Sequence, residues 1–325
     1  MSRDPPVSPF VGLAVAVLAV STSAILVRYS EAPSLVKALY RVVFTVALLA
    51  PVAVTRSRDE LRRVPRRDVF WAAVAGVALA VHFASWFESL EWTSVAASVT
   101  LVQAQPLFVA VGAWALLGER ITRGVVVGIA VALVGMATMT LGDLFVPDAV
   151  RFLSAVPGLA EVLAPVAAGT GDPTLAGERP LYGDALALVG AVTAAGYVLA
   201  GRSLRQRLSL IPYVTIVYTA CAVVLLCLTA ARGHPLFDYA AREWALFLAM
   251  AVGPGVFGHT VLNWALGYLE SSVVSVSLLG EPVGSTVLAL VLIGETPTPA
   301  TIVGGVVVLA GIYLTTRRNS EKPAH

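Results

Sequence analysis

Apolar runs long enough to cross a lipid bilayer recur along the whole of this chain, and they decide what it can fold into. A helix needs roughly 20 apolar residues to span the hydrocarbon core. Such runs are helical because lipid offers no partner to backbone N–H and C=O groups. A membrane barrel would instead show ten-residue strands of alternating polarity, and VVVGIAVALVGMATMTL at 125–141 does not alternate. Only 13% of the residues are charged, against roughly a quarter in soluble domains. The fold class read from this is an all-α membrane protein of ten transmembrane helices. They are expected at about 10–29, 34–55, 69–90, 93–117, 122–141, 181–202, 211–231, 243–267, 270–293 and 299–316, and are called α1 to α10 here. The first run, Phe10 to Val27, lacks a small-residue cleavage site and reads as a retained helix rather than a signal peptide.

The basic residues are unevenly placed. With the N-terminus cytoplasmic, Arg3, the 56–67 loop, Arg120, Arg123, Arg202, Arg205, Arg207, Arg317, Arg318 and Lys322 all fall inside. That is 15 of the 22 basic residues. The opposite side keeps seven, Arg41 included. The positive-inside rule then puts both termini in the cytoplasm of a multi-pass protein of the cell (inner) membrane. The one long connection, 142–180, lies outside the cell. It carries Asp148, Arg151, Glu161, Asp172 and several prolines, which argue against another span. A short interfacial helix near 149–162 and a disordered loop are both open. Net charge is only +2, so no nucleic-acid partner is implied.

Sliding the chain by 176 residues lays Pro106 on Pro282, Gly118 on Gly294, Glu119 on Glu295, Gly128 on Gly304 and Gly135 on Gly311. GERIT at 118–122 meets GETPT at 294–298. The first repeat occupies 10–141, the second 181–316, and a cytoplasmic tail 317–325. Each repeat has five helices, and an odd number forces the second to enter the membrane upside down. Inverted repeats place a solute site near the midplane between the halves. Each half holds a Pro-x12-Glu segment, Pro106 to Glu119 and Pro282 to Glu295, followed by a glycine-rich last helix. With five plus five helices, this resembles the drug/metabolite transporter superfamily, specifically its ten-helix EamA-type transporters. The resemblance implies a secondary transporter, most simply an exporter, of a small metabolite, amino acid or drug-like solute. It specifies no particular substrate.

A charged side chain in mid-membrane costs roughly 2.5 to 3.5 kcal/mol on insertion scales. Glu281, within SLLGEPVGS of α9, therefore stands out as a substrate ligand, a proton carrier or a carboxyl bonded for packing. Gly280 and Pro282 suggest a thinned, kinked helix around it. Its repeat mate is Gln105. Gln103, on another helical face, is not expected to line the same cavity as Gln105. Arg41 in α2 either pairs with Glu281, binds a substrate carboxylate bidentately or, most simply, snorkels to the outer interface. His82 with Trp86 in α3, and His259 with Asn263 in α8, are i, i+4 pairs that share helix faces. Together they form a polar and aromatic pocket between the halves, or serve packing. Tyr197 and Tyr218 are weaker candidates.

Glu119 and Glu295 each read as a cap for the helix that follows. The glycines at 124, 128, 135, 304, 305 and 311 allow close helix contact, and the same spacing suits a homodimer face. Cys221 and Cys227 read as small apolar filler. No Walker-type phosphate loop, no Cys/His metal cluster and no nucleophile with its base is present, so no cofactor is expected and the chain is not read as an enzyme. The partners expected are a small-molecule substrate and the lipid bilayer. A nucleotide-sugar or phosphate-ester antiporter would want several cavity cations, where this chain offers Arg41. A membrane scaffold without flux is the remaining alternative.

Overall fold

A computed structural model describes residues 5, 7–92, 98, 101–153, 179–293 and 299–317. Among the described residues all regular structure is helical. Seven helices are long and apolar enough to cross a membrane, and three shorter apolar helices stand at the places expected for α4, α5 and α10. The helices are α1 Pro9–Tyr29, α2 Ser34–Arg56, α3 Arg66–Trp92, α4 with its regular part Gln105–Leu117, α5 Arg123–Leu153, α6 Pro180–Arg205, α7 Leu210–Ala231, α8 Ala241–Ala265, α9 from Ser271 to Ile293, and α10 Pro299–Arg317. A six-residue helix, Arg58–Arg63, sits between α2 and α3.

The packing has the expected twofold correspondence. α3 packs on α6 as α8 packs on α1, and α4 meets α6 as α9 meets α1. The self-corresponding pairs are α2 with α7 and α5 with α10. The α5–α10 pair is made by glycine. A Cβ on Gly135 would lie 2.5 Å from Val308 N and 2.7 Å from Gly304 O, and one on Gly311 would lie 2.7 Å from Gly128 O. These backbones touch, which only glycine permits. The stripe read as a homodimer face is thus covered by its own repeat mate.

One expectation about the middle of the chain needs correcting. α5 does not stop at 141: it continues through Pro147 to Leu153, so residues 142–153 are helical rather than loop. The rest of the 142–180 connection up to 178 lies outside the described residues, as do Glu295 and the tail from 318.

Both central helices of the repeats are interrupted. α9 is built as Ser271–Ser277, a 3-10 turn Leu278–Gly280, and a second half Glu281–Ile293. α4 breaks in a turn at Gln103–Ala104 and restarts as Gln105–Leu117. Each restarted half carries proline as its second residue. Proline lacks an N–H and clashes with the carbonyl four residues back, so it is tolerated in a helix's first turn and breaks a helix that runs through it. The repeated proline therefore places Gln105 and Glu281 at the start of a half-helix.

α8 is irregular in a different way. Ala251–Thr260 is a π-helix containing Pro254, and such wide turns concentrate at functional sites. Gly255 lies against Thr45 of α2 and Gly258 against Val20 of α1, which brings the widened segment close to both helices.

Candidate functional site

The breaks in α4 and α9 meet at a cavity of about 280 Å³. Its polar wall is Ser23 from α1, Arg41 from α2, Gln103 and Gln105 from α4, and Glu281 and Ser285 from α9. Its aromatic wall is His82, Phe83 and Trp86 from α3, Tyr197 from α6 and His259 from α8. Val20, Leu79, Val102, Ala194, Val198, Leu262 and Leu278 fill the remainder. Seven helices from both repeats thus contribute to one site.

Arg41 is 4% exposed and faces this cavity, so it does not snorkel to the outer interface. Its Nη1 donates to Ser23 Oγ at 3.1 Å, and its guanidinium lies 4.8 Å from the Phe83 ring centre. Among the described residues Ser23 is its one hydrogen-bond partner, against five donors in the guanidinium. Among the described residues no salt bridge joins it to Glu281. The Glu281 backbone is anchored instead: Ser21 Oγ donates to its carbonyl at 3.0 Å, and Ser285 Oγ donates to Ser21 O at 2.9 Å. Glu281 sits in the first turn of the second half of α9, its own N–H taken by Leu278 O of the 3-10 turn.

Gln103 and Gln105 both line the cavity, against the expectation from helical phase. That argument assumed an unbroken helix, and the turn at Gln103–Ala104 resets the phase. The His82 and Trp86 rings stack at 6.0 Å and 17°. His82 Nδ1 lies 2.9 Å from Gly190 O. A carbonyl only accepts, so Nδ1 carries the proton and Nε2 is the ring's remaining bonding atom. The His259 ring sits between Phe83 and Tyr197, 5.7 and 6.1 Å away. His259 Nδ1 and Trp86 Nε1 are buried without a hydrogen-bond partner.

Asn263 stands apart from the other candidates. It is fully buried behind the cavity wall, 0% exposed. Its Nδ2 lies 2.5 Å from Tyr197 Oη, 3.2 Å from Tyr218 Oη and 2.7 Å from His259 O, two hydrogens shared among three acceptors, and among the described residues its Oδ1 has no hydrogen-bond partner. It fixes two residues that do line the cavity, Tyr197 and His259. Ser23 and Ser285 escaped the sequence reading because hydroxyls are ordinary in membrane helices, and nothing in their neighbours sets them apart. Among the described residues no group of three His, Cys, Asp or Glu side chains could hold a metal ion.

The model of the EamA-like transporter family matches residues 8–141 and 181–317, both repeats and nearly all of the described chain. The chain belongs to the EamA-like transporter family. As an EamA-like transporter it is a multi-pass membrane protein that carries a solute, and not an enzyme. An uncharacterized transporter of Archaeoglobus fulgidus is 26% identical over 297 residues, 85% of this chain and 92% of that protein. A protein of Streptantibioticus cattleyicolor named as a probable terminal-alkyne amino-acid exporter is 26% identical over 280 residues, 84% and 82% of the two chains. A solved crystal structure shares the fold with a TM-score of 0.73 at 21% identity, covering 97% of this chain and 99% of its own.

Proposed function

We propose that this EamA-like transporter is a secondary exporter of a small zwitterionic solute, with amino acids as the leading class, working by alternating access. One observation carries the reading. Arg41 and Glu281 are opposite charges without a mutual salt bridge, set in one cavity with two glutamines and an aromatic wall. Arg41 would take a carboxylate, Glu281 an ammonium group, and the Trp86, Phe83 and Tyr197 rings an apolar side chain. The site's volume suits a solute of amino-acid size. The amino-acid exporter among the relatives supports the same class. Phosphate esters fit poorly, because Arg41 is the sole Arg or Lys among the residues lining the cavity.

Glu281 is the proposed site of substrate or proton binding. Its carboxylate alternates between a bound proton and a bound cation as the cavity changes sides, which couples export to a gradient. The protein lies in the cell membrane with the arginine-rich end, marked by the 56–67 loop, in the cytoplasm. Purified protein screened against a metabolite library should gain melting temperature with its substrate, since a ligand that binds only the folded state stabilises it. The hits should then move across liposomes containing the protein. Hits that are all phosphate esters, or hits that bind without crossing the membrane, would overturn the proposal.

A further inference from the structure

At the arginine-rich end, the last turn of α6 grips the corner between α8 and α9. Arg202 Nη1 donates to Leu266 O at 3.2 Å and Arg205 Nε to Asn263 O at 3.0 Å. Gln206 Nε2 lies 3.4 Å from both Leu266 O and Gly267 O. These are carbonyls that the end of α8 leaves without intrahelical partners. Glu119 completes the set from the first repeat. Its Oε1 accepts from Arg202 Nε at 3.0 Å and from Ser271 N at 3.2 Å, and its Oε2 accepts from Ser271 Oγ at 2.8 Å.

Glu119 is therefore a cap, as its sequence suggests, but not for the helix that follows it. The reason is local. α4 ends on Gly118 at φ 67°, a left-handed residue, and Glu119 N donates back to Ala113 O at 3.0 Å. That reversal sends the side chain across to α6 and α9. Sequence proximity favoured the start of α5, whereas the turn geometry selects the start of α9.

The placement of these bonds gives them a role. α3, α4 and α6 pack as one group and carry His82, Trp86, Gln105 and Tyr197 of the cavity wall. α1, α8 and α9 pack as the other and carry Ser23, His259 and Glu281. The bonds from Arg202, Arg205 and Gln206 to the α8 carbonyls and from Ser271 to Glu119 all cross between the two groups at a single end. Opening the cavity to that end requires breaking them together.

We propose that Glu119, Arg202 and Ser271 form the latch that closes the cavity at the arginine-rich end, with Glu119 as the group that holds it shut. The proposal rests on the transport reading above. The carboxylate neutralises Arg202, which then satisfies α8, and it fixes the start of α9. α9 also carries Glu281, ten residues further on and beyond the 3-10 turn. Occupancy at Glu281 and release at Ser271 thus act on one interrupted helix, which gives solute binding a mechanical route to the latch. The crossing bonds to the α8 carbonyls have a neutral acceptor and are individually modest. They separate as a set once the shared carboxylate lets go.

The test uses a chain with Cys221→Ala and Cys227→Ala, and with Ser285→Cys as a reporter in the cavity. An impermeant thiol reagent is applied to each face of oriented vesicles. Adding E119A should raise labelling from the arginine-rich face by about tenfold and lower it from the other face. Unchanged labelling from both faces, with only a lower melting temperature, would make Glu119 a static staple and overturn the latch. If E119A does not fold, Ser271→Ala removes one donor of the latch and should move labelling in the same direction, no change again overturning it. Flux is measured separately on the unaltered chain. Its absence would overturn the transport reading, while unchanged labelling would overturn the latch alone.

Discussion

Glu281 and Asn263 look alike in the sequence, each a strongly polar residue inside a largely apolar helix, yet the structure gives them different surroundings. Glu281 lines a cavity, while the Asn263 amide nitrogen is engaged by Tyr197, Tyr218 and the His259 carbonyl. Their substitutions should therefore separate. Glu281→Gln keeps size and most hydrogen bonding but removes ionisation. It should abolish pH-driven flux in proteoliposomes while melting temperature and solute binding stay near those of the parent; a normal pH dependence would remove Glu281 from coupling. Asn263→Ala leaves buried hydroxyls without their donor and should cost about 1 to 3 kcal/mol of stability, read as a lower melting temperature. Its binding loss should be smaller than that of Arg41→Ala, because Asn263 acts through Tyr197 and His259 rather than on the solute. A ligand affinity that falls more for Asn263→Ala than for Arg41→Ala would contradict that division.

At the scale of the helix, proline and glycine explain most of what distinguishes this molecule from a plain bundle. Pro282 prevents α9 from running through the membrane as one rod, and so presents Glu281 at the start of a half-helix. Pro282→Ala lets the helix reconnect. It should leave the protein folded but depress transport, by tenfold or so if the break positions the carboxylate, and flux assays paired with melting curves check this. Gly135→Leu should do the reverse. It drives a side chain into Val308 and Gly304 of α10, costs about 1 to 3 kcal/mol or more as overpacking, and reads out first as lost stability. The repeat, the helix count and the Gly280-Glu281-Pro282 irregularity were legible in the sequence, because each is a local signal repeated at fixed offset. The π-helix of α8 was not, since Pro254 and its neighbouring glycines give no periodicity that distinguishes a wide turn from a kink. The joint exposure of Gln103 and Gln105 was hidden for a related reason: phase arguments fail across a break whose position is set by tertiary packing. Glu119 was read correctly as a cap but given the wrong helix, because its partner lies 152 positions away.

The whole molecule adds what no single helix holds, a site assembled from seven helices and two ends with different charge. The end with the 56–67 loop also carries Arg202, Arg205 and Arg207, the last paired to Asp68 at 2.8 Å. The other end closes with the Ser30 hydroxyl and Glu31 amide bonded to Glu243, and with Arg232 against Glu88 at 3.5 Å. The proposed orientation keeps the end richer in Lys and Arg in the cytoplasm, because moving those residues across the membrane is expensive during insertion. On that proposal the α7–α8 connection at the opposite end would face outward, and Phe237 within it is 79% exposed. In a chain without Cys221 and Cys227, Phe237→Cys should react with an impermeant thiol reagent in intact cells, and Arg63→Cys should react only after lysis. The pair controls for leakage, because permeable cells would label both. Labelling of Arg63→Cys alone in intact cells would invert the molecule, place the Glu119 latch outside, and reverse which state of the cavity is ready to load solute for export.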